Sequence, residues 1–131
     1  MNDFDISDIE STMKTLIRDT WGISKTVFNN RPKSATITDN DFVVVKVSGS
    51  VQDIAAYGSC TVTIDLFAKD VSNLKNGKKL SVMYKKLVDV LPYTNDRYVF
   101  EGNPTLLSDV ADDYGYHARM IQIKTIIKIN N

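Results

Sequence analysis

The sequence predicts an α+β fold, in which a mainly antiparallel twisted sheet carries two amphipathic helices packed on it. Two segments repeat apolar residues at intervals of three and four, which is typical of helices with one buried face. Several other segments alternate apolar and polar residues, as half-buried strands do. The predicted order is helix, strands, helix, strands, and this order argues against the strict βαβ alternation of a parallel sheet.

The first predicted helix occupies the acidic N-terminal region. Its apolar face is marked by residues at helical spacing: Ile6, Ile9, Met13, Leu16, Ile17 and Trp21. Ser7 and Glu10 fit a capping box, in which each side chain bonds the backbone amide of the other residue. Gly22 is placed to end the helix in a left-handed conformation.

Strands are predicted between the two helices. Residues 23–28 form a short one that ends before Pro32, and residues 35–38 form another short pairing. Residues 42–47 are apolar on both faces and indicate an interior strand, with a bend or bulge at Gly49. After a turn at Tyr57 and Gly58, residues 59–69 alternate, with Phe67 as the exception on the polar face.

A second helix is predicted over residues 77–91 and is stopped by Pro92. Its apolar stripe comprises Leu80, Met83, Tyr84, Leu87, Val88 and Leu91. The opposite side, which we call the lysine face, carries Lys78, Lys79, Lys85 and Lys86. The remaining strands are predicted at residues 97–101, 105–110 and 119–129, with an ordered loop over residues 112–116.

Length and composition predict one globular domain over residues 1–131, with 43% hydrophobic and 24% charged residues. Sixteen basic residues balance sixteen acidic ones, which argues against a sequence-specific nucleic-acid binder. No apolar run approaches the ~20 residues of a membrane span, and we expect no membrane partner. The acidic start lacks a signal-peptide pattern, and the single Cys60 excludes an internal disulfide, so we expect synthesis in a reducing compartment.

The sequence contains three groups with possible chemistry. One group lies late in the chain and comprises Asp109, Asp112, Asp113 and His117. These side chains either bind a divalent cation, or the aspartates cap the backbone amides of a turn. Cys60 and His117 are the sole thiol and imidazole, but Cys60 lies on an apolar strand face. Asp65 and Lys69 share a strand face without the second carboxylate of a nuclease site. We therefore predict no catalytic residue, no metal and no cofactor.

Surface contacts are the better candidates. The lysine face is either a solvated surface or an electrostatic contact, and Asp8 and Glu10 in the first helix carry the opposite charge. Such a contact between copies is expected to be weak and sensitive to salt. Tyr114 and Tyr116 lie in the predicted loop, and tyrosine is enriched in protein–protein interfaces.

The sequence resembles the small tail-terminator, or tail-completion, proteins of long-tailed phages and prophages. The resemblance spans nearly the whole chain and rests on Val27-Phe28-Asn29-Asn30-Arg31-Pro32, Asp41-Phe42-Val43-Val44-Val45, Tyr57-Gly58 leading into residues 61–69, the helix ending at Leu91-Pro92, and Asp113-Tyr114-Gly115-Tyr116-His117.

This resemblance implies a structural, non-enzymatic virion assembly protein without catalytic residues. Such proteins form a ring, commonly a hexamer, on the last ring of the tail tube, stop its growth and join it to head-completion proteins. The implied partners are therefore further copies of the chain, the tail-tube protein and the head-completion or connector proteins. The implied location is the virion tail, with head–tail joining completed in the host cytoplasm.

Two alternatives stay open at this point. One is a small metal-dependent nuclease or hydrolase that uses Asp65 or the acidic group ending at His117. The other is a monomeric interaction module of the inhibitor or immunity type.

Overall fold

The computed structural model describes residues 5–30, 40–54, 57–112 and 114–128, and within these ranges the chain forms two helices and seven strands. In chain order they are α1 (Ile6–Asp19), β1 (Val27–Phe28), β2 (Asp41–Ile54), β3 (Tyr57–Lys69), α2 (Gly77–Asp89), β4 (Tyr93–Thr94), β5 (Tyr98–Phe100), β6 (Thr105–Ala111) and β7 (Tyr116–Lys128). The α+β prediction is confirmed.

The seven strands belong to one sheet in the order β1-β2-β3-β7-β5-β4, and β6 also pairs with β7, along residues that β5 leaves unpaired. Only the short β1–β2 pairing is parallel. The sheet curls into a half-barrel, where we expected a simple twisted sheet. Its central strands are long, and register shifts occur in β2 between Ser48 and Gln52 and in β6 between Leu106 and Asp109. Twist accumulated over long strands and bulges that bend a strand both favour such curling.

Both helices pack their apolar stripes on one face of this sheet. Leu87 is fully buried there, together with Ile9, Met13, Ile17, Leu80 and Met83 from the helices and Val62, Ile64, Leu66, Ile121 and Ile123 from the strands. The prediction fails for Trp21, whose side chain is 82% exposed. Because α1 ends at Asp19, the chain direction changes before Trp21 and the helical face no longer continues.

The start of α1 also differs from the prediction. Asp5 is the N-cap, and its carboxylate accepts a hydrogen bond from the amide of Asp8 at 3.2 Å. Ser7 lies inside the helix, so the predicted capping box with Glu10 is wrong. Gly22 does adopt a left-handed conformation, with φ of 94°, but it lies three residues beyond the helix end.

A second, smaller cluster on the opposite sheet face explains the exception at Phe67. Its ring stacks on that of Phe42 with the centroids 4.4 Å apart, and the ring of Tyr116 meets Phe42 edge-on at 5.2 Å. Val44 and Ala118 complete the cluster. At this end the sheet is therefore buried on both faces.

Most strand predictions are confirmed, with changes at their ends. Tyr57 and Gly58 begin β3 instead of forming a turn, and the predicted strand over residues 23–28 is reduced to β1. The irregularity expected near Gly49 is present, whereas residues 35–38 lie outside the described ranges. α2 ends two residues before the predicted position, and β7 begins three residues before its predicted start. Neither of the two described helices has the length and apolar character needed to cross a membrane.

Candidate functional site

The first candidate surface is the outer edge of β6. This strand pairs with β7 on one side, and none of the described strands pairs with its other side. Its large apolar side chains are roughly half exposed: Leu106 47%, Leu107 47% and Val110 46%. An edge of this kind leaves backbone donors and acceptors open to pairing with another chain. We refer to it below as the β6 edge.

The single acidic residue of β6 is compensated within the subunit. Asp109 accepts hydrogen bonds from Arg119 Nε at 2.8 Å and Nη2 at 2.9 Å, and its Oδ2 lies 3.1 Å from Lys75 Nζ. Hydrogen bonding to Arg119, with a further contribution from Lys75, lowers the pKa of Asp109 to about 2. The same ion pair connects β6 to β7, because Asp109 and Arg119 lie opposite each other in the register of the two strands. The β6 edge thus presents backbone and apolar groups with little uncompensated charge.

The second candidate surface is a groove beside Trp21, with a volume of about 460 Å³. The turn that follows α1 builds it: Thr20 caps the helix, Gly22 turns the chain and Ile23 is buried. A side chain at position 22 would be strained by the positive φ, and its Cβ would lie 3.1 Å from Lys86 Cγ, so the lysine stem would have to shift. This anchored turn leaves the indole of Trp21 projecting at the rim. We call this surface the Trp21 groove.

Three charged side chains line the Trp21 groove, and two of them form an ion pair with each other. Lys79 Nζ lies 3.1 Å from Asp41 Oδ2, so a lysine of α2 is paired with the first residue of β2. Lys25 Nζ donates a hydrogen bond to the carbonyl of Arg18 at 2.9 Å. The lining therefore combines one ion pair with the cation of Lys25, which no carboxylate of the lining neutralises.

The structure divides the predicted lysine face. Lys78, Lys85 and Lys86 are exposed, whereas Lys79 is half-buried and paired with Asp41. The stem of Lys86 lies close to Gly22. Val82 lies on the same side of α2 and is 43% exposed, so this side mixes cationic and apolar side chains.

The proposed acidic counterpart of the lysine face is engaged inside the subunit. Asp8 forms an ion pair with Arg97 at 3.2 Å and accepts a hydrogen bond from the hydroxyl of Tyr98. The two oxygens of Glu10 accept hydrogen bonds from Val47 N and from Asn29 Nδ2. Both carboxylates therefore have partners within the subunit, and the expectation that Asp8 and Glu10 serve a contact between copies stays a prediction.

The two loop tyrosines have different surroundings. Tyr114 is 54% exposed and lies at the surface. Tyr116 is only 4% exposed and belongs to the aromatic cluster around Phe42, so its assignment to a surface is wrong. The side chain of Asp112 accepts hydrogen bonds from the amides of both tyrosines, at 2.8 and 3.0 Å. Asp112 therefore acts as the turn-capping aspartate that the structural reading describes.

The residues of the possible metal site do not converge on one point. Asp109 is bound to Arg119, while His117 Nδ1 lies 2.6 Å from the carboxylate of Asp70. Asp113 falls outside the described residues. Within the ranges that the structure covers, no three metal-ligating side chains group together.

The other two chemical candidates are also separated. Cys60 lies eight residues along β3 from Ala68, the register partner of His117, which corresponds to ~27 Å of strand. Burial of Cys60 raises the pKa of its thiol to about 11. Asp65 and Lys69 are four residues apart on β3, or ~13 Å. Burial raises the pKa of Asp65, against the opposing charge of Lys46, and its Oδ1 is buried without a hydrogen-bond partner among the described residues.

Sequence reasoning missed both surfaces described first. Trp21 satisfies the helical spacing, which predicts a buried side chain, whereas the glycine that follows it indicates that the helix has already ended. The sequence predicts a strand at residues 105–110, but it does not predict which strand this one pairs with. The exposed edge is a consequence of the topology.

No protein-family model matches the chain, and no curated protein matches it.

Proposed function

We propose that this protein is a tail-terminator subunit, which assembles into a hexameric ring on a phage tail tube and joins it to the head-completion proteins. The observation that carries the proposal is the β6 edge, whose outer side pairs with none of the described strands and which carries three exposed apolar side chains. Natural proteins usually blunt or cover such edges, since an open one recruits another chain. The proposed role is binding without catalysis, located in the virion tail.

The β6 edge offers two kinds of stabilisation to a neighbouring subunit. Addition of a strand or loop satisfies the outward backbone groups of β6, and it also covers Leu106 and Leu107. Complete burial of a leucine side chain contributes ~1.5–3 kcal/mol, and these two are already half covered. A contact of this kind is strong enough to guide assembly when many copies act together in a ring.

The two flanks of the sheet differ, and this favours head-to-tail association. On the β2 flank, β1 pairs with Val43 and Val44, and the carboxylate of Glu10 accepts the hydrogen bond of the Val47 amide. The β7 flank carries the β6 edge instead. Contact between unlike surfaces produces rings when the rotation closes, whereas a two-fold dimer uses one surface against itself.

Because Asp8 and Glu10 have partners within the subunit, we propose that the ring contact depends on the β6 edge more than on charge. The proposed contact at the β6 edge is formed by backbone and apolar groups. Added salt screens exposed charges but does not weaken apolar burial. We therefore expect the ring to persist at raised ionic strength, in contrast to the expectation from the sequence.

The experiment compares the wild-type chain with the double variant Leu106→Ser/Leu107→Ser by light scattering and by electron microscopy on purified tail tubes. The proposal predicts a hexamer that caps tubes for the wild type, and a monomer that leaves tubes uncapped for the double variant. Val82→Ser is the matched control, because Val82 has similar exposure on a different surface. A wild-type chain that stays monomeric at every concentration and on tubes contradicts the proposal and favours a monomeric interaction module.

A further inference from the structure

We infer that the outer edge of β2 over residues 48–54, which we call the distal β2 edge, receives the β6 edge of the next copy. Backbone hydrogen bonds between these two strands would join the sheets of neighbouring subunits into one. This inference rests on the proposed ring, because it names the second half of the contact between subunits. The occupant of the distal β2 edge is therefore another copy of this chain.

The distal β2 edge lies beyond the part of β2 that has partners on its outer side. β1 pairs with Val43 and Val44, and the carboxylate of Glu10 accepts the hydrogen bond of the Val47 amide. The last seven of the 14 residues of β2 follow, and within the described ranges no strand pairs with their outer side. The subunit therefore has two open strand edges, one on the β2 flank and one on the β7 flank of the same sheet.

Strand direction favours the pairing of these two edges. β3 is antiparallel to β2, β7 is antiparallel to β3 and β6 is antiparallel to β7, so β6 and β2 run in opposite directions within the subunit. Head-to-tail association brings two different surfaces of neighbouring copies together, and these two edges lie on separate flanks. When the neighbouring sheets meet flank to flank in the same orientation, β6 and β2 form an antiparallel pair, and the alternation of the sheet continues across the contact.

The alternation of hydrogen bonds along β3 shows which amide of the distal β2 edge points outward. Because the amide of Val47 bonds Glu10, Val47 and its register partner Val62 are not a hydrogen-bonded pair. β3 pairs with β7 without a register shift, so the alternation along β3 is unbroken from Val62 to Gly58. Gly58 lies opposite Asp53 and has the same orientation as Val62, and the amide of Asp53 therefore also points outward.

The same alternation along β7 assigns the amides of β6. The amide of Asp112, the residue after β6, donates a hydrogen bond to the carbonyl of Tyr116 at 2.9 Å, so Tyr116 directs its backbone groups towards β6. Ala118 lies two residues further along β7 and does the same, which makes Ala118 and Val110 a hydrogen-bonded pair. The amide of Ala111, next to Val110, therefore points outward. Both edges thus offer outward backbone groups that a paired strand satisfies.

The register shifts in β2 and β6 limit the length of this pairing. Each strand keeps a continuous register with its own neighbour at its C-terminal end, over residues 52–54 of β2 and 109–111 of β6. We expect the regular pairing between copies to lie there. Asp109 is the single charged residue of β6 and is already paired with Arg119, so it brings little uncompensated charge to the contact.

Proline substitution tests the distal β2 edge. Asp53→Pro removes an outward donor without breaking a hydrogen bond to β3, a position at which a strand tolerates proline. We expect this variant to stay monomeric in native mass spectrometry at concentrations where the wild type forms the ring. Asp53→Ala is the matched control, because it keeps the amide, and it should assemble as the wild type does. Thermal melts check that both variants fold. An Asp53→Pro chain that assembles normally, or an Asp53→Ala chain that does not, overturns the inference.

A mixing experiment identifies the two edges as partners. The Asp53→Pro chain keeps an intact β6 edge, and the Leu106→Ser/Leu107→Ser chain keeps an intact distal β2 edge. We expect each variant alone to be monomeric, and the equimolar mixture to give a dimer with one chain of each kind and nothing larger. A mixture that contains only monomers overturns the inference.

Hydrogen exchange tests the same contact in the wild-type chain and does not depend on any variant. We expect the amides of residues 48–54 and 105–111 to exchange more slowly in the ring than in the dilute monomer, with residues 20–26 in the turn after α1 as the control. A ring that leaves residues 48–54 unprotected overturns the inference, although the ring proposal stands. Failure of the wild-type chain to form any oligomer overturns the proposed function as well.

Discussion

The carboxylate of Glu10 in α1 accepts a hydrogen bond from the backbone amide of Val47 in β2, across 3.0 Å. Its other oxygen accepts one from Asn29 Nδ2 at 3.2 Å. One side chain thus joins the first helix, an edge of the sheet and the segment after β1. It also satisfies a backbone donor on the flank opposite to the β6 edge, which makes the two flanks chemically different.

Replacing Glu10 should destabilise the fold. Glu10→Ala leaves the Val47 amide and the Asn29 side chain without their acceptor, and a partly buried unpaired donor costs ~1–3 kcal/mol. Glu10→Gln should lose less, because its amide oxygen still accepts one hydrogen bond. Urea melts measure both, with Ser11→Ala on the exposed side of α1 as control. An alanine variant as stable as the wild type would show that water replaces this carboxylate at no cost.

The packing of α2 on the sheet gives a second prediction. Leu87 is fully buried, so Leu87→Ala should lower the free energy of unfolding by ~2–5 kcal/mol. Lys85 is exposed on the other side of the helix, and Lys85→Ala should change the stability by less than ~0.5 kcal/mol. If denaturant melts showed equal losses of stability for the two variants, the burial of Leu87 against the sheet would be contradicted.

The ion pair between β6 and β7 should make stability depend on acid. Arg119 lowers the pKa of Asp109 from 3.8 to about 2, so the folded state holds this carboxylate ionised more strongly than the unfolded state does. The stabilisation is complete above pH 4 and is lost as the pH falls from about 4 to about 2. Asp109→Asn should therefore flatten the loss of stability in this window, as followed by thermal melts. Asp89→Asn, an exposed control, should leave the slope as it is in the wild type.

The thiol of Cys60 should be inert in the folded protein. It is 6% exposed, and burial raises its pKa to about 11, so the reactive thiolate is scarce at neutral pH. Labelling with a thiol reagent should be slow in buffer and complete in urea. Leu87→Ala should accelerate labelling by populating open states more often. Rapid labelling of the native wild type would instead return Cys60 to consideration as a nucleophile.

Local sequence patterns predicted most of the fold. The apolar stripe around Met83 has the period of a helix, and the alternation around Ile64 has the period of a strand. Each period is visible in the sequence because the element buries one of its sides. The patterns failed where long-range contacts decide. The helix start depends on Asp5 and on where Glu10 finds its partners in Val47 and Asn29, which the order of residues alone does not show.

The candidate surfaces were less accessible to sequence reasoning. Spacing placed Trp21 in the core, but the chain leaves the helix two residues earlier. Charge pattern selected Asp8 and Glu10 for a contact between copies, and both have partners inside the subunit. The β6 edge depends on which strands become neighbours. Whether an apolar residue of a strand is exposed depends on the position of that strand in the folded sheet, and the spacing of residues along the chain does not predict this position.

The central claim is that copies of this 14.7 kDa chain associate head to tail through the β6 edge into a closed ring. Native mass spectrometry over a concentration series tests it most directly, with wild-type protein and Leu106→Ser/Leu107→Ser measured side by side. The account predicts a discrete species of six copies that grows with concentration for the wild type and is absent for the double variant. A wild-type series that contains only monomer, or that stops at a dimer, would contradict it.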